Sequence, residues 1–103
     1  MKCFQVIVTP NAQENIEHAY AWLQEEDPHY AQRWLQEIRD KILELATLPK
    51  SHAIAPESTA FETDVRQLLV GRGTPWRVFF TIDDQKVYIL HVRHGRQDYW
   101  RPE

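Results

Sequence analysis

Apolar positions recur with two different periods along the chain, and the change of period divides it. "CFQVIVT" (3 to 9) sets Phe4, Val6 and Val8 against Cys3, Gln5 and Ile7. It is short, β-branched and apolar on both sides, which predicts a first strand that is central or covered. Thr9 followed by Pro10 is a helix start, and Ala12, Ile16, Ala19, Tyr20 and Leu23 then repeat at helical spacing for about four turns. Asp27-Pro28 repeats the signal. Tyr30, Ala31, Trp34, Leu35, Ile38, Ile42 and Leu45 continue as one stripe until Pro49 forbids extension. Only "EEDPH" separates the two helices, so they should form an antiparallel hairpin. Residues 49 to 64 show neither period and carry two prolines, which predicts a long connection with Ile54 and Phe61 as anchors.

Three strand-like runs follow: "VRQLLV" (65 to 70), "WRVFFTI" (76 to 82) and "KVYILHVRH" (86 to 94), joined by "GRGTP" and "DDQ". Loops this short predict an antiparallel meander. The expected fold is α+β, ordered β-α-α-β-β-β, with the helical hairpin on one face of a four-stranded, mainly antiparallel sheet. At 103 residues it should be a single domain, 1 to 103. Alternation places Trp76, Val78, Phe80 and Ile82 under the helices and Arg77, Phe79 and Thr81 on the other face. In the last strand the expected core positions are Tyr88, Leu90 and Val92, with Val87, Ile89, His91 and Arg93 on the open face. In the second strand the phase is less clear; Val65 and Leu69 inward would put Arg66 and Leu68 outward.

Charge sharpens the picture. The net charge is -3, but residues 1 to 57 hold five Lys/Arg against nine Asp/Glu, whereas 58 to 103 hold seven against six, and six of those seven are arginines. An anion site therefore belongs in the second half. Indiscriminate nucleic-acid binding is disfavoured. With 43% hydrophobic residues and three glycines, disordered and fibrous classes are excluded. The lone Cys3 can form no internal disulfide and reads as a buried, inert thiol. The N-terminus has no signal-like or membrane-spanning run, so a cytoplasmic protein without a membrane partner is expected.

With this phasing Arg66, Arg77, His91 and Arg93 converge on one face, and His94, Arg96, Asp98 and Tyr99 continue from the strand's end. Arginines suit phosphate or carboxylate because their forked donors grip two oxygens and keep their charge. A histidine beside them titrates near neutral pH and is able to move a proton. The bland reading carries about equal weight: arginines on a solvated sheet face are ordinary, and Arg77 paired with Asp83 or Asp84 would merely solubilise it. His91 and His94 are three apart on a strand and should face opposite sides, so a zinc site with Asp98 is disfavoured and no metal or cofactor is expected. "GRGTP" precedes a strand and reads as a turn, not a phosphate loop. Tyr20, Trp22, Tyr30 and Trp34 sit at core-compatible helical spacing. Trp100 folds back or meets a partner; the pattern does not choose. Glu25, Glu26 and Asp27 read as a solvated loop with Asp27 capping.

The succession "TPNAQENI", "LATLP", "APES", "VRQLLVG", "WRVFFTI" and "VYILHVRHGRQDYW" resembles the RelE/ParE toxin superfamily of bacterial type II toxin-antitoxin modules, which includes plasmid stabilisation proteins. The resemblance covers nearly the whole chain. It implies a growth-arresting toxin held inactive by a cognate antitoxin. RelE-like members are RNA-binding endoribonucleases that cut mRNA on the ribosome without a metal; ParE-like members share the fold, lack the full residue set and inhibit DNA gyrase.

Carried over by position, Arg77 matches the arginine that stabilises the attacked phosphate. Arg66 lies near the second-strand basic position, and Leu68 stands where the nucleases have a further lysine. Arg96 matches the basic residue after the last strand, with Arg93 or His94 as shifted alternatives. Tyr99 approximates the terminal aromatic, and His91 or His94 is able to replace it in acid-base work. The catalytic candidates are thus Arg77, His91, Arg96 and Tyr99, with Arg66, Arg93 and His94 binding RNA phosphate. The expectation is a ribosome-dependent mRNA endonuclease, although the acidic balance keeps gyrase inhibition close behind. A degenerate member that only binds antitoxin is the third reading.

Overall fold

The computed structural model describes residues 3–73 and 75–95. Strand β1 (Gln5–Val8) leads into helices α1 (Pro10–Glu26) and α2 (Pro28–Glu44), and strands β2 (Arg66–Val70), β3 (Trp76–Asp83) and β4 (Lys86–His94) follow. The sheet order is β1-β4-β3-β2. Neighbours are antiparallel except β1 with β4, which run parallel because the helical hairpin carries the chain across the sheet. The α+β architecture is the expected one. β1, however, is an edge strand with both its ends exposed, not a central one, and Cys3 beside it is exposed.

Local chemistry fixes the helices. The Thr9 hydroxyl accepts from the Ala12 N–H at 3.3 Å, with Pro10 at the first helical position. Asp27 serves both helices: its N–H donates to Leu23 O, closing α1, and its Oδ1 accepts from the N–H groups of His29 and Tyr30, opening α2. One residue thus makes the hairpin corner. The buried stripe is Ala12, Ile16 and Leu23 on α1 with Ala31, Trp34, Ile38 and Ile42 on α2. Trp22 and Tyr30, expected in the core, lie outside it at 58% and 40% exposure.

Beneath the helices sit Leu68, Val70, Val78, Phe80, Val87, Ile89 and Val92, joined by partly buried Trp76 and Ile82. The β3 phase is as expected. Two other strands depart from it. In β2, Leu68 and Val70 face the helices and Leu69 is 51% exposed, the reverse of the expected phase. Register confirms this, since Arg66 lies opposite Phe80 and Leu69 opposite Arg77. In β4, Phe79 pairs with His91 but Phe80 with Ile89, so Leu90 is an extra residue, a bulge. The bulge puts Val87 and Ile89 under the helices before it and Val92 under them after it. Tyr88 and Leu90 therefore leave the helix side, while His91 and Arg93 stay on the far face.

That far face is not open. The connection after α2, with short 3₁₀ turns at Pro49–Ser51 and Pro56–Ala60, crosses it and builds a second core of Ala55, Val65 and Phe79 with Phe61 and Leu90 packed alongside. Phe61 anchors the connection as expected. Ala55 does so in place of Ile54, whose side chain is 45% exposed. The Ser58 hydroxyl accepts from the buried Val65 N–H at 2.8 Å. Gly71 and Gly73 both have positive φ, as the β2–β3 turn requires.

Candidate functional site

Arg77 stands at the centre of the far face, and its guanidinium is already held. Nη1 and Nη2 donate to the two carboxylate oxygens of Glu57 at 2.6 Å each, a fork-on-fork pair. Nε and Nη2 also donate to the side-chain oxygen of Gln67, at 3.1 and 2.6 Å. Glu57 is almost wholly buried and Arg77 nearly so, with side-chain exposures of 1% and 12%. The guanidinium carbon lies 4.7 Å from the centre of the Phe79 ring, two residues along the same face. The expected partners Asp83 and Asp84 belong to the β3–β4 turn and do not take part. Glu57 and Gln67 were not singled out in the sequence. Their only signal was a lone acid in "APES" and a polar residue within β2.

Next to this pair on the same face lie His91 and Arg93. Arg93 is directly across from Arg77 in the strand register, and His91 across from Phe79, with ring centroids 6.2 Å apart. Like charges opposed across strands repel, so the Glu57 carboxylate also offsets a local excess of positive charge. Burial first, and the Arg93 charge second, push the His91 pKa down to about 4. His91 is therefore neutral at physiological pH. The Asn11 amide donates to Leu90 O at 2.7 Å and reaches His91 Nδ1 at 3.0 Å, which makes Nδ1 the acceptor and leaves the ring proton on Nε2.

Asn11 belongs to a set that secures the β4 bulge. Thr9 donates its hydroxyl to Ile89 O at 2.6 Å and its N–H at 3.1 Å, and Asn15 Oδ1 accepts from the Val92 N–H at 3.0 Å. Backbone groups that the bulge removes from the ladder are thus satisfied by the first turns of α1. Neither asparagine was picked out as more than part of "TPNAQENI".

The remaining candidates lie elsewhere. Arg66 faces the helix side, where Nη1 donates to the carbonyls of His52 at 2.7 Å and Lys50 at 3.3 Å. It does not join Arg77, which corrects the expected convergence. His94 is opposite Trp76 and contacts its ring edge-on at 5.0 Å, with Trp34 stacked at 5.0 Å behind Trp76. His91 and His94 therefore point to opposite faces, as expected. Arg96, Asp98, Tyr99 and Trp100 lie outside the described residues. Among the described residues no group of three His, Cys, Asp or Glu side chains is placed to hold a metal, and no helix is long and apolar enough to cross a membrane.

Residues 6–99 match the family described as "ParE toxin of type II toxin-antitoxin system, parDE". The chain belongs to the ParE toxin family. No curated protein matches the sequence. A solved chain from the "Chromosomal ParDE TA system from P. aeruginosa" superposes with a TM-score of 0.72 at 20% identity, covering 89% of this chain and 96% of that one. At that identity the likeness carries the fold: the hairpin-on-sheet arrangement is that of a toxin from a type II toxin-antitoxin system.

Proposed function

We propose that this ParE toxin arrests growth by binding DNA gyrase, without cutting RNA, and is held inactive by a cognate antitoxin. The observation that carries the reading is the Glu57–Arg77–Gln67 cluster. A scissile phosphate at Arg77 would have to displace a buried carboxylate from a bidentate grip, and would meet that carboxylate's negative charge on arrival. Such a site stabilises a loop better than it stabilises an anion. His91, neutral and accepting from Asn11, lacks the proton affinity of a base poised near neutral pH. Arg66 is on the other face, so the phosphate-binding set of the endonuclease reading is not brought together among the described residues.

Charge supports the same conclusion. The net charge is -3, and α1 holds four glutamates and no lysine or arginine. Ribosome-directed binding draws on a positive field that this surface lacks. Purified gyrase provides the test. Supercoiling of relaxed plasmid should fall as toxin is added in excess and recover when antitoxin is added. Unaltered supercoiling at saturating toxin would overturn the gyrase reading; if growth were also normal on induction, the chain would be a degenerate member that binds antitoxin alone.

A further inference from the structure

The sheet ends at β2, and that edge is only half used. The Gln67 N–H donates away from the sheet, to Ala53 O at 3.0 Å, and the Ala55 N–H donates to Val65 O at 2.8 Å, so residues 53–55 pair with the first half of the edge. Strand geometry repeats every second residue, which points the Leu69 N–H and C=O outward from the same edge beyond that pairing. Leu69 is 51% exposed, an apolar residue on an open strand edge with no proline, lysine or bulge guarding it.

A groove of about 470 Å³ runs beside this edge on the helix side, lined by Lys41, Thr47, Leu48, Ser51, His52 and Leu68. Leu48 stands in it at 72% exposure and in the left-handed region, φ 54. A leucine held in a conformation that L-residues avoid, immediately before a proline, and pointed at solvent is stabilised by nothing it touches in the isolated chain. Around the edge the charges are mostly basic. Lys50 and Arg72 flank it, Arg66 is bonded only to carbonyls, and Lys41 carries the one nearby ion pair among the described residues, 3.6 Å from Glu44. This is a positive border on a chain whose net charge is -3.

We infer that the second half of the β2 edge takes an extended, acidic-apolar segment of the antitoxin as an added strand, in line with residues 53–55. Its backbone bonds to Leu69. Alternate side chains fall on the two faces, one set filling the groove beside Leu48 and Leu68, the other lying against Leu69. The inference rests on membership of the toxin family and not on the gyrase reading, so it stands or falls separately.

The test is amide hydrogen exchange on the intact toxin, alone and in complex with the antitoxin co-expressed from the adjoining reading frame. Exchange at Leu69 should slow at least tenfold in the complex. Leu48→Glu and Leu69→Glu, both at exposed positions, should each weaken antitoxin binding at least tenfold with an unchanged circular dichroism spectrum, and Lys50→Glu should weaken it severalfold. Exchange at Leu69 that is unchanged by bound antitoxin would overturn the inference. So would protection that appears with rising concentration of toxin alone, which would give the edge to a second copy of this chain.

Discussion

On the helix side of the sheet, Val78, Phe80, Val87 and Ile89 are wholly buried among apolar neighbours, and no charged group is needed to hold them there. On the far side, the small core of Ala55, Val65 and Phe79 is closed by an ion pair, with Glu57 in a 3₁₀ turn of the connection gripping Arg77 in the sheet. The first face is held by area removed from water, the second by a few directional bonds whose desolvation must be offset by good geometry. The difference explains why a cationic face in the sequence turns out, in the fold, to be a fastening. A long connection with little apolar content is secured to the sheet by its single buried acid.

The comparison is broken most severely from the helix side. Phe80→Ala should cost about 4 kcal/mol in urea denaturation, because a large side chain at 0% exposure leaves a cavity between two layers. Phe79→Ala should cost less, since the smaller cluster around it has more room to collapse. Equal losses would mean that the two faces are packed alike. Glu57→Ala should cost about 3 kcal/mol by leaving a buried guanidinium without its carboxylate, and should lower Tm by roughly 10 °C or more. The double variant Glu57→Leu with Arg77→Met should recover most of that loss, because no charge is then buried. A double variant as unstable as the single one would show that the pair's role is not the one described.

How far all this is legible in the sequence depends on which physical rule governs each residue. β3 alternates without interruption, so Phe80 and Arg77 are assigned to their faces correctly from the pattern alone. β4 is not, because Leu90 is an extra residue and a single bulge inverts every assignment on one side of it; no feature of "VYILHV" marks the place. The signals that do mark it, Asn11 and Asn15, sit some eighty residues away. For β2, Val65 belongs to the second core, so reading it as the start of the helix-side phase reverses the strand and carries Arg66 to the wrong face. Glu57 was invisible for a related reason: a buried acid in a stretch without periodicity is recognisable only once the chain is seen to cross the sheet beneath Arg77.

Smaller effects refine the contrast. Asp27→Ala should cost about 1 kcal/mol, through loss of the bonds to the His29 and Tyr30 N–H groups at the corner of the hairpin. His91 makes the far face sensitive to acid. Its folded pKa, about 4, lies below the model value of 6.5, so between those limits the unfolded chain binds more protons. The contribution is fully present above about pH 6.5 and is lost as pH falls toward 4. His91→Gln should flatten that part of the stability profile, and NMR titration of the ring should find it neutral at pH 6.

The central claim is that Arg77 fastens the connection and does not bind RNA. Mapping transcript 5′ ends after brief induction of the wild-type toxin in a bacterial host tests it most directly. Growth should stop with no new ends inside translated messages. Codon-phased cuts in those messages, appearing with the onset of arrest, would contradict the account and return the far face to catalysis.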